Sequence, residues 1–341
     1  MHPAPNTQHP APCTPLPAPD TPHPAPCTLY LAPDKKITLG NIPSADDLVS
    51  NRNKWKKMRV GIVGDKDRAA AWEKHLRPLT AVHEVVITPE ISDLDDVDAC
   101  ILLDDSTTKL QTLAESIRLG LHSYLVSTLP TDENQLKTIY SLAQESDVRV
   151  QFSHWPTISP ASQWMRQQLP KPGFIQVIKE HSHISFSENR PRFSQSWMDE
   201  TAWIVKWMGM ATHRIEACHI IPGNPESGLH IYLKFENGAS ATLFYLVSGS
   251  EDRHRRFVSA STLLLDCDAN RQTVKKTLIG DNQRVTVESQ TFDATLSAEL
   301  SANLFFKAIK LKKDTAFTAY DALKASQVIN NIRNLLKMQV Q

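Results

Sequence analysis

Cysteine is scarce and unpatterned in this chain: Cys13, Cys27, Cys100, Cys218 and Cys267 are odd in number and nowhere form a CxxC spacing. That argues against both a disulfide framework and a zinc knuckle. Charge of one sign is also lacking, because 37 basic residues balance 37 acidic ones. No general field therefore holds nucleic acid or an anionic membrane surface. The densest basic run, RHRR from Arg253 to Arg256, is short, has no interleaved aromatics and reads as a solvated loop. Long apolar runs are missing, since nothing approaches the about 18 residues of a spanning helix, and the N-terminus lacks the charged region and apolar core of a secretory signal. A cytoplasmic address is the default expectation. Neither a Ser-His-Asp signature nor a P-loop is present. What remains, 341 residues at 41% hydrophobic and 22% charged, is ordinary for a soluble globular chain of about two domains.

Proline is unevenly spread. Residues 9 to 22, HPAPCTPLPAPDTP, are nearly repeated as HPAPCTLYLAPDKK at 23 to 36, and 12 of the 22 prolines lie before residue 44. Such a segment cannot build helix or sheet, and its few apolar side chains do not offset the entropy of ordering it. Residues 1–57 are expected to be a disordered tail with a polar, basic lead-in. The alternatives are a proline-rich ligand for a recognition domain and a dispensable stretch upstream of a start at Met58.

From Met58 the pattern becomes regular. In MRVGIVGDKDRAAAW, Arg59 to Val63 read as a short buried strand, Gly64 as the turn, and Asp67 to Leu76 as a helix with an acidic start. Strands follow at Val82 to Thr88, Asp98 to Leu103, Ser123 to Ser127 and Val148 to Ser153. Between them, Leu110, Leu113 and Ile117 share one helical face, and so do Leu136, Ile139, Tyr140 and Ala143. Alternation of this kind means a parallel sheet with right-handed crossovers and a ligand crevice at the carboxyl ends of the strands. The loops to watch are Gly64 to Arg68, Thr88 to Glu90, Asp104 to Thr108 and Thr128 to Thr131. In a dinucleotide site the places of the three glycines fall here on Gly64, Lys66 and Ala69, and Lys66 puts a long side chain where a pyrophosphate needs bare backbone. The paired carboxylates Asp104 and Asp105 would repel the same group.

After about residue 155 the rhythm changes. Phe174 to Phe186 reads as a long strand, Asp199 to Ile221 as a helix, and Leu229 to Val247 as two strands joined at Asn237-Gly238. Further strands are expected at Thr262 to Cys267, Thr273 to Ile279 and Arg284 to Glu288, making an antiparallel sheet with one face packed and one available. A closing helix runs from about Thr318 to Lys337, with Thr318 and Asp321 as a capping box and Ala322, Ala325, Ile329, Ile332 and Leu336 as its buried stripe. His181 and His183 share a strand face, and Glu216 and His219 stand three apart. Neither pair has a third ligand in sequence, so no metal is expected. His154, after the fifth strand, either faces a cleft or packs at a hinge.

In this order the chain resembles the Gfo/Idh/MocA family of NAD(P)-dependent oxidoreductases over residues 58 to 338. VDACILLDDSTTKLQTLAESIRLGLHSYLVSTLP looks like the family's strand, helix and strand ending in Glu-Lys-Pro. NLFFKAIK and TAYDALKASQVINNIRNLLK are similar to its closing region, and ATHRIEACHIIPGNP is similar to its Asp-x-Gly-x-His-x-x-Asp segment. The resemblance implies a Rossmann-type parallel sheet at 58–154, and an α+β domain with an open, mainly antiparallel sheet at 155–317 used for substrate and homo-oligomer contacts. The helix 318–338 closes the second domain. It implies NAD or NADP held by Gly64, Asp65, Lys66, Asp67, Arg68, Thr88, Asp104, Thr128 and Pro130, and hydride transfer on a sugar-like or cyclitol alcohol. Glu-Lys-Pro falls on Thr128, Leu129 and Pro130, the helix motif falls on Gly209, Ala211, His213 and Glu216, and Thr88 with Pro89 stands where a carboxylate usually meets the ribose. His213 is the implied base. With the lysine replaced by Leu129, Lys206 stands seven residues before His213 on the same helix face, about 10 Å along its axis, and reads either as a relocated cation or as a solvated lysine at a helix end. The alternative is a catalytically idle relative that binds a ligand or partner.

Overall fold

A computed structural model describes residues 57–182, 191–221, 224–249, 251–280 and 284–338. The proline-rich stretch and His183 lie outside the described residues. Five strands, β1 (Met58–Gly64), β2 (Val82–Thr88), β3 (Ala99–Leu103), β4 (His122–Leu125) and β5 (Val150–Phe152), form a parallel sheet in the order β2-β1-β3-β4-β5. Alternate side chains feed its two faces. Val60, Ile62, Ile101 and Tyr124 pack with Ala69 and Leu76 of α1 (Lys66–Leu76). On the other face Val63, Cys100, Leu102 and Leu125 meet α2 (Lys109–Arg118) and α3 (Glu133–Glu145) through Leu113, Ile117, Leu136 and Ile139. Each such side chain, fully buried, contributes about 1.5–3 kcal/mol.

The next stretch holds α4 (Trp155–Ile158), α5 (Pro160–Gln168), β6 (Phe174–Ser182) and α6 (Pro191–Met208). Strands β7 (Thr212–Ile221), β8 (Asn224–Phe235), β9 (Ser240–Gly249), β10 (Arg253–Ala260), β11 (Leu263–Asp268), β12 (Thr273–Ile279) and β13 (Val285–Thr291) then join β6 in an eight-stranded sheet. Its order is β13-β12-β11-β10-β6-β9-β8-β7, antiparallel except where β6 lies beside β9. The hairpin at Asn237-Gly238 is present, with Gly238 at φ 83°. The chain then passes through α7 (Ser297–Leu311) to α8 (Ala319–Met338).

Two sequence readings are corrected. Asp199 to Ile221 is not one helix, because Gly209 at φ 64° ends α6 and the chain continues as edge strand β7. Arg253 to Arg256 is not a loop. It opens β10 near the middle of the large sheet, and Arg256 is 3% exposed.

Helix α8 begins as its capping box requires, with the Asp321 carboxylate accepting from the Thr318 amide at 2.8 Å and the Thr318 hydroxyl accepting from the Asp321 amide at 3.1 Å. Its stripe is buried against α6 and β7 and against α3 of the parallel sheet. Asn330 donates to the Thr131 carbonyl at 3.0 Å and to Glu133 at 2.8 Å. Helix α7 lays Ala302, Phe305 and Phe306 on the α1 face of the parallel sheet. One buried cluster links that sheet through α6 and α8 to the large one.

Candidate functional site

The strand order reverses between β1 and β3, so the crevice of a doubly wound sheet opens where the Gly64 and Asp104 loops leave their strands. Gly64 makes the first turn at φ 145°, and a Cβ there would stand 2.9 Å from the Leu103 carbonyl oxygen. Only glycine fits. The next residue changes the site. Asp65 is the N-cap of α1, and its carboxylate accepts from the amides of Asp67 and Arg68, both at 3.1 Å. Those amides are the ones that would face a pyrophosphate. Lys66 and Asp67 are exposed beside them.

Across the crevice Asp105 bridges the loops, meeting Arg68 at 3.3 Å and accepting from the Thr128 amide at 3.1 Å. Lys109 donates to the Thr128 carbonyl and hydroxyl at 3.0 and 2.8 Å. Burial lowers its ammonium pKa while Asp105 and Asp104 oppose the shift. Asp104 itself accepts from the Ser106 amide at 2.7 Å. The Thr88 hydroxyl donates to the Glu90 carbonyl at 2.9 Å, so it is committed to its own loop. Leu129 and Pro130 are buried. The frame of a dinucleotide site is present, but its charges do not fit one. The phosphate-facing amides already carry the Asp65 carboxylate, and the flanking loops hold Asp67, Asp104 and Asp105 beside Lys66, Arg68 and Lys109.

The implied catalytic pair does not come together. His213 is exposed in the β7 bulge between Thr212 and Arg214, on the last strand of the large sheet. Lys206, near the end of α6, is ion-paired with Asp321 of α8, beside the amino end of β5 and away from the crevice. The spacing argument assumed one helix, and Gly209 breaks it. Glu216 and His219 accordingly lie on a strand, pointing to opposite faces. Among the described residues no group of three or more His, Cys, Asp or Glu is placed to hold a metal.

A polar group that sequence reasoning missed lies between α6 and the inner face of the large sheet, at the carboxyl end of β5. Glu200 is fully buried and takes a bidentate pair from Arg256 at 2.7 and 2.9 Å. Arg256 also donates to Ser162 at 3.0 Å and lies 4.5 Å above the Trp203 ring. His254 stands 3.2 Å from Glu200, and register places Lys179 beside it. Next to them Asp199 accepts from Gln195 at 2.7 Å. Burial raises the Asp199 carboxyl to about 7, against Gln195 and Lys179, which lower it. His154, following β5, is buried, stacked 4.2 Å from Phe317, and hydrogen-bonded to Thr157 at 2.8 Å and to the Asp199 carbonyl at 3.0 Å. It is packed rather than open to a cleft. The available signal was the alternation of β10, in which His254, Arg256 and Val258 share one face.

Neither a protein-family model nor a curated protein sequence matches this chain. Solved structures do. UDP-N-acetylglucosamine 3-dehydrogenase from Acidithiobacillus ferrooxidans superposes with a TM-score of 0.71 over 84% of this chain and 99% of its own, at 14% identity. The chain has the Gfo/Idh/MocA dehydrogenase fold. Scyllo-inositol dehydrogenase from Lactobacillus casei, solved with NAD(H) and scyllo-inositol, shares that fold at a TM-score of 0.61, 12% identity and 83% and 98% coverage. A putative NADPH-dependent oxidoreductase from Desulfitobacterium hafniense gives 0.65, 12%, 82% and 95%. The Gfo/Idh/MocA neighbours are oxidoreductases by description, and the likeness extends over both sheets.

Proposed function

We propose that this chain is an oxidoreductase by architecture, of the Gfo/Idh/MocA type, in which NAD(P)-dependent hydride transfer is diminished or absent because the dinucleotide crevice is closed by its own charges. The observation that carries this reading is Asp65 seated on the Asp67 and Arg68 amides. Two like unit charges about 4 Å apart repel by about 4 kcal/mol at an effective dielectric near 20, whereas an N-cap contributes about 1 kcal/mol. A pyrophosphate entering here must displace Asp65 from the amides and compete with Asp105 for Arg68, and Lys66 and Lys109 offset only part of the repulsion from the four carboxylates Asp65, Asp67, Asp104 and Asp105. On this reading the protein serves through small-ligand or partner binding.

The second reading, NAD(P)-dependent oxidation of a sugar-like or cyclitol alcohol, draws on the neighbours named for such substrates. It needs Asp65 to leave the helix terminus and a new proton acceptor. Asp199, held near neutrality, suits that role better than the exposed His213 or the ion-paired Lys206.

Calorimetric titration with NAD(H) and NADP(H) separates the two. The expected result is no saturable binding by the parent up to about 1 mM, and at least about tenfold tighter binding once Asp65→Gly and Lys66→Gly are combined. Micromolar binding by the parent would overturn the first reading and send the second to a screen of sugars and cyclitols for turnover.

The open face of the large sheet fits a second copy of this chain. Leu264, Ile279, Val285 and Val287 are exposed there, beside a concavity of about 560 Å³ that Phe174 also lines. His230 stacks on Phe244 at 4.3 Å on the same face. Sedimentation is expected to show a homo-oligomer that Leu264→Asp with Val287→Lys converts to monomer. A parent monomeric at about 100 μM would exclude this surface as a self-interface.

A further inference from the structure

A second concavity, of about 420 Å³, lies at the amino end of β5, at the opposite end of that strand from the His154 group. Its walls come from the C-terminal end of α3, the residues leading into β5, the end of α6 and the first turn of α8. Three cationic side chains line it, Arg149, Arg166 and Lys206, against the two carboxylates Asp314 and Asp321. The carboxylates are not equivalent. Asp321 is already engaged by Lys206 and by the Thr318 cap, while Asp314 is exposed.

Arg149 pairs through Nη1 with the exposed Asp147 at 3.1 Å, but its Nε is buried without a hydrogen-bond partner. That nitrogen is enclosed, so an acceptor in the cavity would meet the terminal Nη2, which holds no hydrogen bond among the described residues. Tyr140 and Tyr320, with ring centroids 5.6 Å apart and planes tilted by 46°, supply an aromatic wall. Gln144 and Thr318 add groups suited to hydroxyls.

We propose that this cavity binds a small phosphorylated ring compound, of the class of a monosaccharide monophosphate, with the phosphate directed to Arg149 and Arg166 and the ring against Tyr140 and Tyr320. The volume lies within the range for small-molecule sites and suits one ring rather than a dinucleotide. Guanidinium forks match phosphate oxygens in pairs, which a lone lysine cannot do. The site is separate from the Asp65 crevice, so its occupation does not depend on whether a nicotinamide cofactor binds.

Calorimetry on the full chain with glucose 6-phosphate, inorganic phosphate and glucose tests the assignment. Glucose 6-phosphate is expected to bind saturably and about tenfold more tightly than inorganic phosphate, with glucose alone showing no binding. Arg149→Gln and Arg166→Ala should each weaken it by about tenfold or more, and Lys66→Gly should leave it unchanged. Arg166 is exposed, so its variant keeps the test valid if Arg149→Gln perturbs folding. Absence of saturable binding by either phosphate up to about 10 mM, or binding that follows Lys66 rather than the two arginines, would overturn the proposal.

Discussion

Glu200→Ala is expected to lower the free energy of unfolding by about 3–5 kcal/mol, because it leaves the Arg256 guanidinium buried without its counter-charge. Both residues are almost fully enclosed, at 0% and 3% exposure, so water cannot replace the lost partner. Arg256→Ala should cost a similar amount, since it strands the carboxylate and removes the contact with Trp203. Replacing both together, as Glu200→Leu with Arg256→Met, should recover most of the loss, because the desolvation of two ions disappears with their attraction. Equilibrium urea unfolding measures all three. A single-variant loss below about 1 kcal/mol would mean that the pair is hydrated in solution. Burial alone would raise the Glu200 carboxyl, but Arg256 and His254 together hold it well below the ordinary carboxylate range. The stabilisation from this group is therefore complete above the unfolded value and is lost as pH falls through the lower folded one.

Between about pH 5 and 6.5 the stability should rise with pH. Burial holds both His154 and His254 down to about 4, although Asp199 and Glu200 respectively favour the charged form. In that window the unfolded chain takes up protons on both histidines and the folded chain on neither, so raising the pH favours folding, and the gain is complete above the unfolded value near 6.5. Asp199, raised to about 7, runs the other way, because the folded state keeps a proton that the unfolded one has lost. Two histidines against one carboxyl leave about one net proton, or about 1.4 kcal/mol per pH unit. His122, His181 and His230, which burial also lowers, add to the rise in the same sense. The double variant His154→Gln and His254→Gln should flatten the slope to what Asp199 and the other lowered histidines leave. Urea midpoints at three pH values decide this, and an unchanged slope would show that other groups carry the dependence.

Much of the architecture was legible because it is written in local periods. The five parallel strands and helices α1, α2, α3 and α8 repeat at 2 or 3.6 residues, and the Thr318 capping box and the Asn237-Gly238 turn mark their ends directly. The failures share a cause. Strand β10 hides because two inward positions of its alternation, His254 and Arg256, are filled by ions, whose partner Glu200 lies 56 residues away. The boundary between α6 and β7 hides because Gly209 is the only glycine or proline between Asp199 and Ile221, and both periods tolerate the residues around it. Lys206 looks like a solvated or catalytic lysine until Asp321, 115 residues on, is placed beside it. The Asp65 cap was the nearest miss. An acidic start to α1 is legible at Asp67, but two residue positions separate that ordinary first-turn carboxylate from Asp65, which covers the phosphate-facing amides.

Helix α7 has a bearing on how the protein is made. Its Phe305 and Phe306 complete a face of the parallel sheet whose strands begin at Met58, so a layer of the earliest sheet is supplied by residues translated about 240 positions later. During synthesis Val60, Ile62, Ile101 and Tyr124 are made long before that cover exists, with only α1 to shield them. The half-finished chain on the ribosome thus carries a sticky sheet surface through most of its elongation. A holding chaperone, or elongation fast enough to deliver α7 before two nascent chains meet, would offset that exposure.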